Sequence, residues 1–141
     1  MIMKIISKQL SLFAILFAIY TIAFRYLLSN SLQNEHYNIV WLWAALYFMA
    51  IFVTAWNLGK SDGMNKIFFD AGLRFHVTDY LIFGIISELW FILGFNSDKE
   101  SINTVHYTMI FWGLGLILHF VIFLMLRKNT IRGIQRSDIF D

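Results

Sequence analysis

The sequence contains no cysteine and no proline, and only 14% of its 141 residues are charged. Without cysteine, these residues can form no disulfide, no thiolate metal site and no cysteine nucleophile. Without proline, no helix need be kinked by a proline ring. The charged fraction lies well below the roughly 25% that is usual for soluble domains. These absences exclude the disulfide-rich class and argue against an ordinary soluble domain.

Apolar residues are abundant and occur in long runs. They make up 59% of the chain, and a short chain buries too small a share of its surface to hide this much apolar area from water. The excess lies in four runs, residues 10–28, 39–58, 77–95 and 105–126. Each run has about 20 residues, enough for a helix to cross a hydrocarbon core of about 30 Å. Since backbone groups in lipid must pair within their own segment, we predict an all-α membrane protein with four transmembrane helices in a single domain, 1–141.

The first apolar run follows Lys4 and Lys8, as the core of a signal peptide would. The run is longer than the roughly 7–15 residues of a signal core, and no A-x-A-like cleavage site follows it. We therefore expect a retained membrane helix.

Lysine and arginine are distributed unevenly between the two ends of the predicted helices. Two of them, Arg25 and Lys99, fall on one side. Nine fall on the other side, which holds both termini and the loop between the second and third helices: Lys4, Lys8, Lys60, Lys66, Arg74, Arg127, Lys128, Arg132 and Arg136. The positive-inside rule then predicts an inner-membrane protein with both termini and a tail, 127–141, in the cytoplasm.

The connections between the predicted helices also carry information. The two outer connections, 29–38 and 96–104, are short, so we expect two antiparallel hairpins, the first helix with the second and the third with the fourth. The basic tail and the apolar residues of the middle loop are expected to lie along the membrane surface. These apolar residues are Ile67, Phe68, Phe69, Leu73 and Phe75.

Three ionisable side chains fall inside the predicted spans, where charge is costly. Arg25 and Glu88 have similar predicted depths and are expected to pair, although Arg25 could also snorkel outward. Asp79 lies near the cytoplasmic start of the third run, where Lys66 or Arg74 could meet it, or where it could cap the helix. The alternative is that Arg25, Asp79 and Glu88 line a path for an ion or small solute.

Two of the four histidines are expected to meet at the cytoplasmic side. His76 opens the third predicted helix and His119 lies near the inner end of the fourth, its antiparallel neighbour. Facing histidines can ligate haem iron or a metal ion, but no metal-binding motif accompanies this pair. A histidine in a membrane helix is more often hydrogen-bonded to a neighbouring helix.

Small residues in the third and fourth runs favour close helix packing. Trp112, Gly115 and His119 lie on one face of the predicted fourth helix. The small residues are Gly84, Ser87 and Gly94 in the third run, and Gly113 and Gly115 in the fourth.

The second half of the chain resembles a known family. Phe75-His76 with Tyr80 four residues later, then Trp112-Gly113-Leu114-Gly115-Leu116 and His119, is similar to the signature of the bacterial two-transmembrane (2TM) domain family. The similarity covers about residues 74–128. It implies a helical membrane hairpin of unassigned biochemical role and directs attention to His76 and His119. The amino-terminal hairpin and Glu88 depart from the family pattern.

No sequence motif for catalysis is present: there is no phosphate-binding glycine loop and no nucleophile elbow. We therefore expect a non-enzymatic structural or regulatory membrane subunit, with no cofactor and no nucleic-acid partner. Its expected partners are the lipid bilayer and either further copies of itself or a larger membrane protein. The alternatives are an oligomeric transporter that uses Glu88, Asp79 and Arg25, and a protein that binds haem or quinone through His76 and His119.

Overall fold

A computed structural model of the chain describes residues 6–63 and 68–132, and the side chains of residues 6–62 and 72–125. All regular structure in these ranges is α-helical, in the order α1 (Lys8–Gln33), α2 (Tyr37–Gly63), α3 (Phe68–Ile92) and α4 (Ile102–Arg132). Each of these four helices contains a segment long and apolar enough to cross a membrane. The prediction of four apolar helices is therefore confirmed for the part of the chain that is described.

Local hydrogen bonds fix three of the helix ends. The Ser7 hydroxyl accepts a hydrogen bond from the Leu10 backbone N–H at 3.1 Å, a typical N-cap of α1. At the other end of α1, Glu35 has a φ of 59°, and the backbone N–H of His36 donates to the carbonyl of Ser31. Gly94, with a φ of 72°, ends α3 by the same type of turn. The predicted third helix extended to residue 95, and it ends sooner because Gly94 turns the chain out of the helix.

All four described helices extend beyond the predicted apolar runs on the side predicted to be cytoplasmic, and α3 and α4 extend furthest. α3 begins at Phe68, nine residues before the predicted start at 77, and α4 continues to Arg132. Both extensions lack proline, the residue that most strongly disfavours the interior of a helix. Residues 127–132 of the predicted tail therefore belong to α4. The rest of the tail, residues 133–141, and Ile67 of the middle loop lie outside the described residues. Phe68, Phe69, Leu73 and Phe75 belong to α3, and the expectation that Phe75 lies along the membrane surface is wrong, because its side chain is buried in the core.

The described helices pack around α1 and α3. α1 contacts α2 and α3, α2 also contacts α3, and α4 packs against α3. A buried apolar core contains Leu10, Phe13, Phe17, Phe75 and Phe83. Its α1 members begin a stripe that recurs every three or four residues on one helix face and becomes polar toward the end of the helix, at Thr21, Arg25 and Ser29. The fold thus places polar groups, one of them charged, on the same buried face as the aromatic core.

Candidate functional site

The buried polar end of α1 forms an ion pair with the α3–α4 connection. Arg25 Nη2 lies 2.7 Å from Glu100 Oε2, and both side chains are only 5% exposed. Ser29 Oγ donates to Glu100 Oε1 at 2.5 Å, and the backbone N–H of Ser97 donates to the same oxygen at 3.0 Å. The carboxylate of Glu100 is therefore held by a cation, a hydroxyl and a backbone amide.

Further contacts extend this cluster around Glu100. Trp90 Nε1 donates to Ser29 Oγ at 2.9 Å, and Ser97 Oγ donates to Gln33 Oε1 at 2.8 Å. The guanidinium of Arg25 also lies 5.4 Å from the ring centroid of Phe91, within cation–π range. We call this set of side chains the Arg25–Glu100 cluster. It connects α1 to α3 and to the connection that follows α3.

The predicted Arg25–Glu88 pair is wrong. Arg25 lies on the buried face of α1 and binds Glu100, whereas Glu88 binds His106 on α4, with Nε2 2.7 Å from Oε1. The side chains of His106 and Glu88 are 51% and 42% exposed, so this pair lies on the outer surface of the α3–α4 contact. Similar depth was not sufficient to predict the pairing, because it says nothing about which face of each helix meets the other.

Sequence reasoning missed Glu100 as a functional candidate. The residue belongs to the outer connection on the same predicted side as Arg25, so the signal was an acidic residue close in depth to an intramembrane arginine. Because it lies outside the apolar runs, it was not weighed as a partner.

Asp79 lies in the middle of α3 and not at its start, because the helix begins eleven residues earlier. The predicted helix-capping role is therefore wrong. Arg74 also does not meet it, since Arg74 Nη2 binds Asp62 Oδ2 at 2.6 Å; Lys66 lies outside the described residues. Asp79 is 6% exposed, and its Oδ1 has no hydrogen-bond partner.

Other polar groups lie in the interior of the described bundle. The Thr21 and Tyr47 hydroxyls lie 2.9 Å apart, and Thr21 also donates to the carbonyl of Phe17. Ser87 is fully buried, and its hydroxyl lacks a partner. Arg25, Asp79 and Glu88 thus occupy three different environments: an ion-paired cluster, the interior and an outer surface. About 13 Å of helix axis separates Asp79 from Glu88.

The predicted meeting of His76 and His119 is confirmed. Their ring centroids lie 5.1 Å apart in an edge-on arrangement. A Cβ atom at Gly72 would lie 3.8 Å from His119 Cε1, an ordinary van der Waals distance, so the imidazole packs beside the backbone of α3. The two rings line one wall of a pocket of about 420 Å³. His76 lies eight residues inside α3 and not at its start, since α3 begins at Phe68.

The pocket is built from three helices. Aromatic side chains supply most of its wall, and Lys60, near the end of α2, lies at its border. The lining residues are Phe52, Ala55, Trp56, Gly59, Lys60, Gly72, Phe75, His76 and His119. Every polar side-chain group in this set is a nitrogen that can donate a hydrogen bond, and none is a carboxylate or hydroxyl. The pocket therefore suits a ligand with an acceptor group and an apolar body.

The small residues have different environments. A Cβ at Gly84 would meet the end of the Met109 side chain at 2.6 Å, and one at Gly113 would meet the Tyr80 hydroxyl at 3.2 Å. Both glycines therefore permit close contact between α3 and α4, as predicted. Gly115 has nothing within 4 Å of such an atom, so its predicted packing role finds no neighbour among the described residues. Gly94 lies beyond α3 and ends it.

Trp112 packs against Phe83 with ring centroids 5.3 Å apart, and against Tyr80 at 6.3 Å. These contacts place the predicted Trp112 face of α4 against α3. His119 lies on the same face of α4 and lines the pocket, so this face supplies both the aromatic contact with α3 and part of the pocket wall.

The histidine pair offers little to a metal or haem iron. Among the described residues, no group of three or more His, Cys, Asp or Glu side chains could hold a metal ion. The two imidazoles contact each other directly, an arrangement that leaves too little space between them for a haem iron. Both histidines line the pocket, so a ligand bound in the pocket could contact them.

No protein-family model matches the chain, and no curated protein or solved structure matches it significantly. The resemblance of residues 74–128 to the 2TM domain family stays a prediction.

Proposed function

We propose that this chain is a non-enzymatic multi-pass protein of the cell inner membrane, where it acts as a structural or regulatory subunit. The observation that carries the proposal is the pairing of the charged side chains. Arg25 is bound by Glu100 and Glu88 by His106, so the charged candidates join neighbouring segments of the chain and do not converge on one site. A transport path through Arg25, Asp79 and Glu88 would need them to share a cavity.

The arrangement in the membrane is part of the proposal. We infer two antiparallel hairpins, α1–α2 and α3–α4, with both termini and the α2–α3 connection in the cytoplasm. Support comes from the nine-to-two distribution of basic residues. On the proposed outer side, each of the two basic residues is paired with a glutamate, Arg25 with Glu100 and Lys99 with Glu35.

Reporter fusions test this topology. A reporter that is active only in the cytoplasm should work when fused after Asp141 and fail when inserted beside Lys99. A reporter that is active only outside should give the opposite pattern. An external carboxyl terminus, or recovery of the folded protein from a detergent-free soluble extract, would contradict the proposed membrane arrangement.

A role as a subunit is supported by the surfaces of α2 and α4. Large apolar side chains on these helices are widely exposed, among them Trp41 at 79% and Phe111 at 73%. In a membrane such surfaces contact lipid or another helix. Purification in mild detergent followed by light scattering should give a constant assembly larger than one chain. A monomer without a stoichiometric companion would contradict the subunit role.

A further inference from the structure

The pocket bordered by His76 and His119 contains hydrogen-bond donors that no described side chain or backbone group uses. Lys60, His76 and His119 make no ion pair or hydrogen bond with any described residue, apart from the ring contact between the two histidines. Among the described side chains, no carboxylate borders the pocket to neutralise the lysine. A group of donors that includes a fixed cation favours an anionic acceptor.

The walls of the pocket favour an apolar body behind that acceptor. Phe52 and Trp56 project from α2 and are 53% and 61% exposed, while Phe75 is buried at the base on α3. Nothing lies within 4 Å of a Cβ built at Gly59. α2 and α4 share no contacts within the described ranges, so the pocket opens sideways between them. A hydrocarbon chain can therefore leave the pocket through this opening along the two helices.

The depth of the pocket fits the membrane arrangement proposed above, on which this inference rests. Lys60 lies three residues from the end of its helix, at Gly63, and His119 lies thirteen residues before Arg132. Both ends are on the proposed cytoplasmic side. Lys60 is therefore close to the depth of the inner-leaflet phosphate groups, where anionic lipids are attracted to basic residues.

We propose that this pocket binds one anionic phospholipid of the cytoplasmic leaflet. The headgroup phosphate lies near Lys60 and the edges of the two imidazoles, and an acyl chain lies against Phe52 and Trp56. A neutral quinone would fill the same aromatic walls and accept from the histidines, but it would leave the charge of Lys60 without a counter-charge. The anionic headgroup is therefore the better match to this set of donors.

The test uses the full chain, purified in detergent and stripped of lipid. Binding of phosphatidylglycerol and of phosphatidylcholine is measured by native mass spectrometry, with inorganic phosphate as a competitor. We expect phosphatidylglycerol to bind at least tenfold more tightly. Lys60→Gln should weaken its binding by roughly tenfold, the effect of losing one charge-assisted hydrogen bond. Lys8→Gln is the matched control, since it removes the same charge from an exposed position on the same side, and it should leave binding unchanged.

A second variant tests the apolar part of the pocket. Gly59→Leu places a side chain into open space beside the wall, so it should keep the fold and reduce binding of phosphatidylglycerol. Equal affinity for the two lipids, or equal effects of Lys60→Gln and Lys8→Gln, would overturn the proposal. Competition by inorganic phosphate as strong as that by the lipid would show that a free anion is the ligand. A retained quinone whose binding ignores Lys60→Gln would identify a neutral ligand.

Failure of the inference about the pocket can be distinguished from failure of the proposed function. A chain that stays in the membrane fraction with cytoplasmic termini, yet shows no lipid preference, would overturn only the inference about the pocket. A chain that is soluble, or oriented the other way, would overturn the proposed function first.

Discussion

The Arg25–Glu100 cluster should make a large contribution to stability, and Glu100→Gln tests it. Arg25 and Glu100 are each about 95% shielded, with 5% side-chain exposure. In the variant, the amide oxygen can still accept from Ser29 and Ser97, but the amide NH₂ then faces the N–H groups of Arg25. The guanidinium is left buried without its anion, and its Nε already lacks a partner. Removing one member of a buried ion pair typically costs about 3–5 kcal/mol.

The free energy of unfolding is measured by titration with a denaturing detergent, followed through tryptophan fluorescence. The double variant Arg25→Met with Glu100→Gln removes both charges, so it should be less destabilised than the sum of the two single variants. The matched control is the exposed pair Lys99–Glu35, with side chains 47% and 65% exposed. Lys99→Gln should change stability by no more than about 1 kcal/mol.

Two results would refute this reasoning. If Glu100→Gln and Lys99→Gln lowered the free energy of unfolding equally, burial would not strengthen the pair. If the effects of Arg25→Met and Glu100→Gln were simply additive, the two side chains would not depend on each other in the folded protein.

Three further predictions concern single helices and contacts. Ser7→Ala should lower the free energy of unfolding by about 0.5–2 kcal/mol because it removes the N-cap of α1, and an unchanged unfolding midpoint would contradict this. Gly115→Ala should be neutral or stabilising by up to about 1 kcal/mol, since it adds helix propensity in open space. Gly113→Ala should be less stable than Gly115→Ala because its Cβ would crowd the Tyr80 hydroxyl; the same denaturation assay compares the two, and the reverse order would contradict it. Glu88→Gln should change stability by no more than about 1 kcal/mol, since its pair with histidine is half exposed, and it should leave ion flux in liposomes at the background level of the wild type.

The long apolar runs were enough to predict the helices, since length and hydropathy both follow directly from the sequence. The ends were less predictable, for a physical reason. Gly94 lies inside an apolar run and ends α3 through its positive φ, whereas the polar residues after 126 do not end α4. Hydropathy indicates which segments are stable in lipid. The end of a helix depends instead on local hydrogen bonds and backbone conformation.

The candidate site was predicted in part. The approach of His76 and His119 followed from matching depths on neighbouring helices, and the structure confirms it. The same reasoning failed for Arg25 and Glu88, because Arg25 faces inward and Glu88 faces the surface of the α3–α4 contact. Rotation about the helix axis decides such pairs. A nearly uniformly apolar helix has little pattern from which its rotation could be read.

The two ends of the bundle differ in a way that bears on where a ligand can enter. At the end proposed to face outward, Glu100 is bound by side chains of α1, so the α3–α4 connection is held close to the bundle. At the other end, α4 contacts α3 while α2 stands apart from it, and the aromatic wall that includes Trp56 is left open. A lipid in that gap would contact both helices and supply the packing that they do not give each other. The open end also carries the excess of basic charge, so the same end of the bundle provides both the space for an acyl chain and the attraction for an anionic headgroup.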